Sequence, residues 1–505
     1  MKPTKFSFIL FFTGMCCNHL AAQELYHEQY RPQIHFSPKE HWTNDPNGMV
    51  YYNGVYHLFF QYYPDSTVWG PMHWGHTISK DLVHWEEQPV ALYPDSLGYI
   101  FSGSAVVDEK NTSGFGKDGK TPLVAIFTHH DPVGEKAGSN NFQNQSLAYS
   151  LDNGKTWTKY AGNPVLKNPG ITDFRDPKVM WFEPQKKWVM TLATKDHITF
   201  YSSPDLKNWS KESEFGKELG AHGGVWECPD LFSIDDNGKK VWVLIINLNP
   251  GAFNGGSGTQ YFVGDFDGKT FTPFHKNERW LDYGPDDYAG ITWSNTGNRK
   301  IFLGWMSNWL YANTVPSVKW RNAMTLPRNL KVKHVGDSIF IASEPADELN
   351  KIALKITSLD NIKVDKSFDL LSKTGTIKLP CRINLDFEKP ADFSLTLYNN
   401  TGEKVIIGYD DQLHQYFIDR TNSGKTDFYK GFAAKHIAPR LTIADNMNVS
   451  LIIDVSSVEL FADDGLSVMT ELFFPSTPYN NISVQSQQAL TIKKLQYTSF
   501  KSIWP

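Results

Sequence analysis

Apolar residues along this chain come in short runs instead of long helical stripes. Segments 50–61, 123–128, 188–193, 241–247 and 301–306 are rich in Val, Ile, Phe, Tyr and Trp and are bounded by Gly, Asn, Asp and Pro. That is the pattern of strands closed by turns, and extended 3.6-residue periodicity is scarce, so the chain reads as all-β. One signature recurs. Ser79-Lys80-Asp81 precedes Trp85, Ser150-Leu151-Asp152 precedes Trp157, Ser203-Pro204-Asp205 precedes Trp209, and Gly264-Asp265 precedes Phe271 in a looser copy. Each predicts an Asp turn feeding an aromatic strand. Intervals of 72, 52 and 62 residues between the aromatic positions hold about four short strands each, the size of a β-propeller blade.

Past Arg328-Asn329-Leu330 the texture changes. Trp disappears until Trp504, and alternating runs at 393–398, 450–454 and 458–462 predict half-buried antiparallel strands of a β-sandwich. A chain of 505 residues also exceeds what one hydrophobic core serves. The reading is a propeller over residues 30–335 followed by a sandwich over 339–505. On the sandwich, Glu459 reads as a surface or interface residue.

The first residues change the picture of location. Lys2 and Lys5 precede an apolar run over 6–15, and Leu20-Ala21-Ala22 closes it. This predicts a signal peptide over 1–22, too short for a membrane-spanning anchor, and a secreted or periplasmic protein. Cys16 and Cys17 leave a lipid anchor at the cell surface as an alternative. With the leader removed, only Cys228 and Cys381 remain, so no disulfide framework is expected. Loss of Lys2 and Lys5 lowers the net charge of −5 by two, to −7, which argues against nucleic acid and suits a neutral ligand. Aromatic residues make up 14% of the chain, with 16 Trp, enough for a β core and for rings on which sugars stack. No metal-ligand spacing stands out and no cofactor is expected; His129-His130-Asp131 reads as a polar loop. The Gly-rich run from Asn249 to Gly258 lacks the Gly-Lys-Ser/Thr ending of a phosphate loop.

Three carboxylate segments carry candidate chemistry. Trp42-Thr43-Asn44-Asp45-Pro46-Asn47-Gly48 joins a carboxylate to a residue without N–H and to one that tolerates positive φ, so a sharp turn would aim Asp45 out of the backbone plane. Phe174-Arg175-Asp176-Pro177 sets Asp176 beside a guanidinium, which would keep it ionised. Trp226-Glu227-Cys228-Pro229-Asp230 sets Glu227 among apolar neighbours, a setting that favours the protonated form a general acid requires. On three separate blades, these carboxylates would converge at the axis. Glycoside hydrolysis needs such a set, one carboxylate at the anomeric carbon and one carboxyl to release the leaving oxygen.

Taken in order, the three motifs resemble those of the β-fructofuranosidase family of glycoside hydrolases, which contains invertases, inulinases and levanases; Thr43 stands where Met is commoner. The resemblance implies a five-bladed β-propeller followed by a β-sandwich. It implies Asp45 as nucleophile, Glu227 as acid/base and Asp176 as transition-state stabiliser in a retaining mechanism on levan, inulin or sucrose. Asn44, Asn47, Gln61, Trp69, Phe101, Ser102, Arg175 and Trp305 match positions that bind the terminal fructose. Asn254 and Asp286, with the segments 249–258, 282–286 and 305–309, are expected at the pocket rim. A non-catalytic fructan-binding propeller, a sucrose-specific invertase and an arabinan-type hydrolase are the competing readings.

Overall fold

The computed structural model describes residues 25–375 and 377–505. The leader expected over 1–22, with Cys16 and Cys17, lies outside the described residues. Among the described residues no helix is long and apolar enough to cross a membrane.

Five antiparallel sheets form a closed propeller. Their innermost strands are His41–Tyr52, Tyr99–Val107, Phe174–Phe182, Val225–Asp236 and Tyr288–Thr292. Each packs against the next and the last packs against the first. The short strand Trp320–Arg321 also pairs parallel with His41–Tyr52, tying the end of the fifth blade's loop region to the first blade.

The recurring turns are built as the sequence suggests, between the third and fourth strands of a blade. Asp81 Oδ1 accepts from the Val83 and His84 amides, Asp152 Oδ1 from Thr156, and Asp205 Oδ1 from Lys207 and Asn208. In the looser copy the capping carboxylate is Asp267, bonded to the Lys269 and Thr270 amides, and not Asp265. These side chains satisfy turn amides that have no strand partner.

Three local expectations are corrected. Segment 50–61 is a hairpin, because Asn53 and Gly54 adopt φ of 49° and 80°, the geometry of a tight two-residue turn. His129 and His130 belong to the strand Leu123–His130. Their rings find partners there, His129 Nδ1 on Ser146 Oγ and His130 on the Phe101 ring. Residues 339–345 lie in the propeller, since Ser338–Pro345 is hydrogen-bonded to Arg328–Val335 as the outer strand of blade five.

Two six-stranded sheets form the sandwich, and its attachment to the propeller is ionic as well as apolar. Glu459 is fully buried. It accepts from Arg328 Nε at 2.9 Å and lies 2.7 Å from His35 Nε2. Arg328 also reaches Asp282 and Asp287, each at 2.9 Å, and Thr470 Oγ1 at 2.7 Å. A second pair joins Arg420 Nη1 to Asp286 Oδ2 at 2.7 Å. Desolvated charges persist only where partners are this complete.

Candidate active site

All five inner strands carry a register irregularity near their starts: between Thr43 and Pro46, between Ile100 and Gly103, opposite Thr191/Ala193 on the strand that holds Arg175, between Glu227 and Asp230, and between Tyr288 and Ile291. A bulge opposes two residues to one, bends the strand and re-aims a side chain. The segment around Asp45 is therefore a bulged strand and not a turn. Gly48 has φ of 56°, and a Cβ there would sit 2.6 Å from the Trp74 ring. Asp176, Cys228 and Ala289 take φ of 64°, 41° and 54°, conformations costing roughly 1–3 kcal/mol each for residues with a Cβ. A small void beneath the site touches all five inner strands, through Pro46, Ser102, Asp176, Cys228 and Ile291.

The three carboxylates meet there. Asp45 Oδ2 accepts from Ser102 Oγ at 2.7 Å and Oδ1 from Asn44 Nδ2 at 2.8 Å. Asn44 is itself held by Trp42 Nε1 at 2.7 Å. Asp176 Oδ2 accepts from the Cys228 amide at 3.0 Å. The Cys228 thiol lies between the two, 3.5 Å from Asp45 Oδ2 and 3.6 Å from Asp176 Oδ2. Burial, with three carboxylates around it, pushes that thiol well up, so it remains a protonated donor.

Arg175 was expected to hold Asp176 ionised; its guanidinium is spent elsewhere. Nη2 and Nε donate to Glu227 Oε1 at 2.9 and 3.2 Å, Nη1 donates to Asp173, and Asp176 stays 4.0 Å away. Burial raises Asp176 to about 7; Arg175 opposes that rise, and Glu227 and Asp45 add to it. Burial and Glu227 raise Asp45 as well. Glu227 is likewise not in the apolar setting its neighbours suggested, because Tyr288 Oη donates to Oε2 while Arg175 holds Oε1.

The polar lining has donors and acceptors in reserve. Asn47 Oδ1 and Gln61 Nε2 are buried with no hydrogen-bond partner in the protein, a cost that a polyol ligand relieves. Trp69 is 40% exposed and edges onto Phe101, which stacks on His130 at 4.2 Å. Trp305 is fully buried, its Nε1 donating to Thr43 O, and packs against Trp309 at 4.9 Å. Trp309 is the partly exposed ring of that segment.

Asn254 and Asp286 are placed away from this cluster. Asn254 Nδ2 donates to Tyr283 O at 2.6 Å and Ile437 O at 2.8 Å, stapling propeller to sandwich. Asp286 is buried against Arg420, Tyr311 and the Leu472 amide. Segment 282–286 is an interface strap: the Tyr283 amide donates to Val468 O.

Sequence reasoning missed the supports. Asn247 Nδ2 donates to Cys228 O and Gly290 O while its Oδ1 accepts from the Gly290 amide, holding the bulges of blades four and five. Thr128 Oγ1 accepts from the Asp176 amide and donates to Gln145 Oε1. Strand amphipathicity offers the one signal, since these polar residues interrupt apolar runs at inward positions.

Comparison with known proteins agrees with this architecture. The Glycosyl hydrolases family 32 N-terminal domain matches residues 35–343 and the Glycosyl hydrolases family 32 C terminal matches residues 348–499. A levanase of Bacillus subtilis (strain 168) is 45% identical, over 98% of this chain and 74% of its own length. An extracellular exo-inulinase of Aspergillus awamori is 41% identical over 90% and 91%. The crystal structure of exo-inulinase from Aspergillus awamori superposes with a TM-score of 0.87 at 38% identity, covering 95% of this chain and 100% of that one. A β-fructofuranosidase from Schwanniomyces occidentalis complexed with fructosyl-erythritol gives 0.85 at 32%, covering 94% and 99%. With both domains matched along nearly the whole described chain, and carboxylates gathered where its five blades meet, this protein belongs to glycosyl hydrolase family 32.

Proposed function

We propose that the protein is a retaining hydrolase of β-D-fructofuranosyl bonds in fructans, levan or inulin, with sucrose as a further substrate. The observation that carries this reading is the meeting of Asp45, Asp176 and Glu227 on bulged strands of three blades, with Arg175 and Tyr288 on Glu227. Levanase and exo-inulinase relatives support the substrate class.

Glu227 gives its proton to the glycosidic oxygen as the fructosyl C2–O bond breaks, and Asp45 closes on C2 to form an ester. Water then attacks C2, giving its proton to the Glu227 carboxylate, and the ester bond to Asp45 breaks. Each step passes through a cationic sugar, which the Asp45 and Asp176 carboxylates stabilise electrostatically. Asn44 and Ser102 hold Asp45 by one hydrogen bond to each oxygen, so attack starts from a fixed rotamer. A leader over 1–22 would deliver the enzyme outside the cytoplasm; fractionation of a tagged full-length chain tests that part.

Fructose release from levan by the wild type and its loss in Glu227→Gln is the deciding experiment. Equal inactivity of the two favours a fructan-binding propeller without chemistry. Fructose as the sole early product marks cutting from chain ends, whereas early oligosaccharides mark internal cuts.

A further inference from the structure

The carboxylates sit near the starts of the five inner strands; near the ends of those strands a separate cavity of about 570 Å³ opens. It is lined by the later parts of Tyr99–Val107, Phe174–Phe182 and Val225–Asp236 and by residues around Trp293, so it is the opposite mouth of the propeller axis. Lys178 touches both this cavity and the void under the carboxylates. Its ammonium, paired with Asp230 at 3.1 Å, plugs the axis between them.

Four lysines and four carboxylates line the cavity, so its charge is balanced and it selects for a neutral ligand. Asp230 supplies a built polar group. It is 1% exposed, and Oδ2 accepts from the Thr292 amide at 2.6 Å, from Thr292 Oγ1 at 2.7 Å and from Lys178. Oδ1 has no hydrogen-bond partner in the protein. A buried carboxylate oxygen without a donor is costly, and three donors on Oδ2 hold Asp230 in place against that cost. Trp181 and Trp242, both half-buried, form aromatic walls, and Ser233, Ser294 and Thr296 add small polar groups. An aromatic wall with convergent polar groups in several hundred Å³ is the make-up of a small-molecule site.

We propose that this far mouth of the propeller is a second, non-catalytic binding site for a neutral oligosaccharide, with a ring face against Trp242 and hydroxyls on the small polar groups of Ser233, Ser294 and Thr296. Its role is to hold the enzyme on a polymer whose free end is in the catalytic pocket of another molecule or of the same one. The choice of fructan as the occupant rests on the function proposed above, whereas the preference for a neutral polyol rests on the cavity alone.

Affinity electrophoresis in gels containing levan tests it, using Asp45→Asn protein so that the polymer survives. Ser233 faces Trp242 across the strand pair, so Ser233→Trp fills the cavity, and Trp242→Ala removes its wall. Each is expected to abolish at least half of the retardation, while the same substitutions in the active enzyme leave sucrose turnover at the wild-type rate. Retardation unchanged by both overturns the proposal and leaves only water in the cavity. A fall in sucrose turnover equal to the loss of retardation also overturns it, by showing damage transmitted to the catalytic end. Failure of the wild type to release fructose would instead defeat the functional reading, a result scored separately from gel mobility.

Discussion

Arg175 Nη2 stands 2.9 Å from Glu227 Oε1, on the adjoining blade, while Arg175 Nε is 4.0 Å from the carboxylate of its own chain neighbour Asp176. The guanidinium thus orients the proposed acid/base and leaves Asp176 to burial. Lysine has one ammonium and cannot replace this fork. Arg175→Lys is expected to lower kcat/KM on sucrose by about 100-fold, with an unchanged circular dichroism spectrum. A loss smaller than threefold would show that Arg175 does not position Glu227.

Burial raises Asp176 to about 7 in the folded chain, against 3.8 for the free side chain. A raised acid binds more protons when folded, so its contribution to stability falls as pH rises from about 4 to about 7. Asp176→Asn should therefore raise the urea midpoint at pH 8, with the gain fading towards pH 4. At pH 8, where Asp176 is ionised, activity should fall by about 10³-fold as that stabiliser is lost. A lowered midpoint at pH 8 would contradict the assignment of strain to this carboxylate.

His35 behaves in the opposite sense. Burial depresses it, but hydrogen bonds to Asp454 and Glu459 outweigh burial and hold it at about 9, against 6.5 for the free side chain. A raised base stabilises the fold fully below pH 6.5 and loses that contribution as pH rises through 9. Glu459, depressed to about 2 mainly by Arg328 and His35 against burial, stabilises above pH 4.5 and is lost as pH falls through 2. Removing one buried partner costs about 3–5 kcal/mol. Glu459→Gln should show that loss in equilibrium unfolding at pH 7, and His35→Gln should flatten the stability profile between pH 6.5 and 9.

Asn254 and Asp286 serve the joint between domains, so their substitution separates stability from binding. Asp286→Asn removes the nearer of two buried counter-ions of Arg420, leaving Glu471 at 3.5 Å, and should cost up to about 3–5 kcal/mol. Asn254→Ala deprives two backbone carbonyls of a donor, at about 1–3 kcal/mol. Both should keep KM for sucrose within about twofold at temperatures where the fold holds, since neither side chain adjoins the carboxylates. A tenfold rise in KM would return them to the pocket rim.

Strand content and the repeating blade turns were legible because they are local, whereas the number of blades came from the resemblance. An Asp two to four residues before a turn amide and an aromatic just before the next strand act within a few residues, so Asp81, Asp152 and Asp205 announce their turns in the sequence. The looser fourth copy failed by two positions, since Asp265 and Asp267 both precede Phe271 and only the finished turn selects Asp267. Glu459 was ambiguous for the same reason. An alternating strand gives a face, but whether that face meets water or Arg328 depends on a strand 131 residues away.

By itself the sequence determined the all-β class, the two textures of the chain and the three carboxylates with their neighbouring amides. These follow from periodicity, turn chemistry and residue type. Only tertiary structure decided what each carboxylate meets. Asp45 takes its hydroxyl donor from Ser102, 57 positions on, Glu227 its guanidinium from Arg175, 52 positions back, and Asp286 its counter-ion from Arg420, 134 positions on. Coulombic and hydrogen-bonding partners are set by distance in space, and burial by everything packed around them. Chain neighbours can therefore mislead, as Arg175 does beside Asp176. The bulge that turns a backbone by one residue settles which carboxylate a guanidinium reaches.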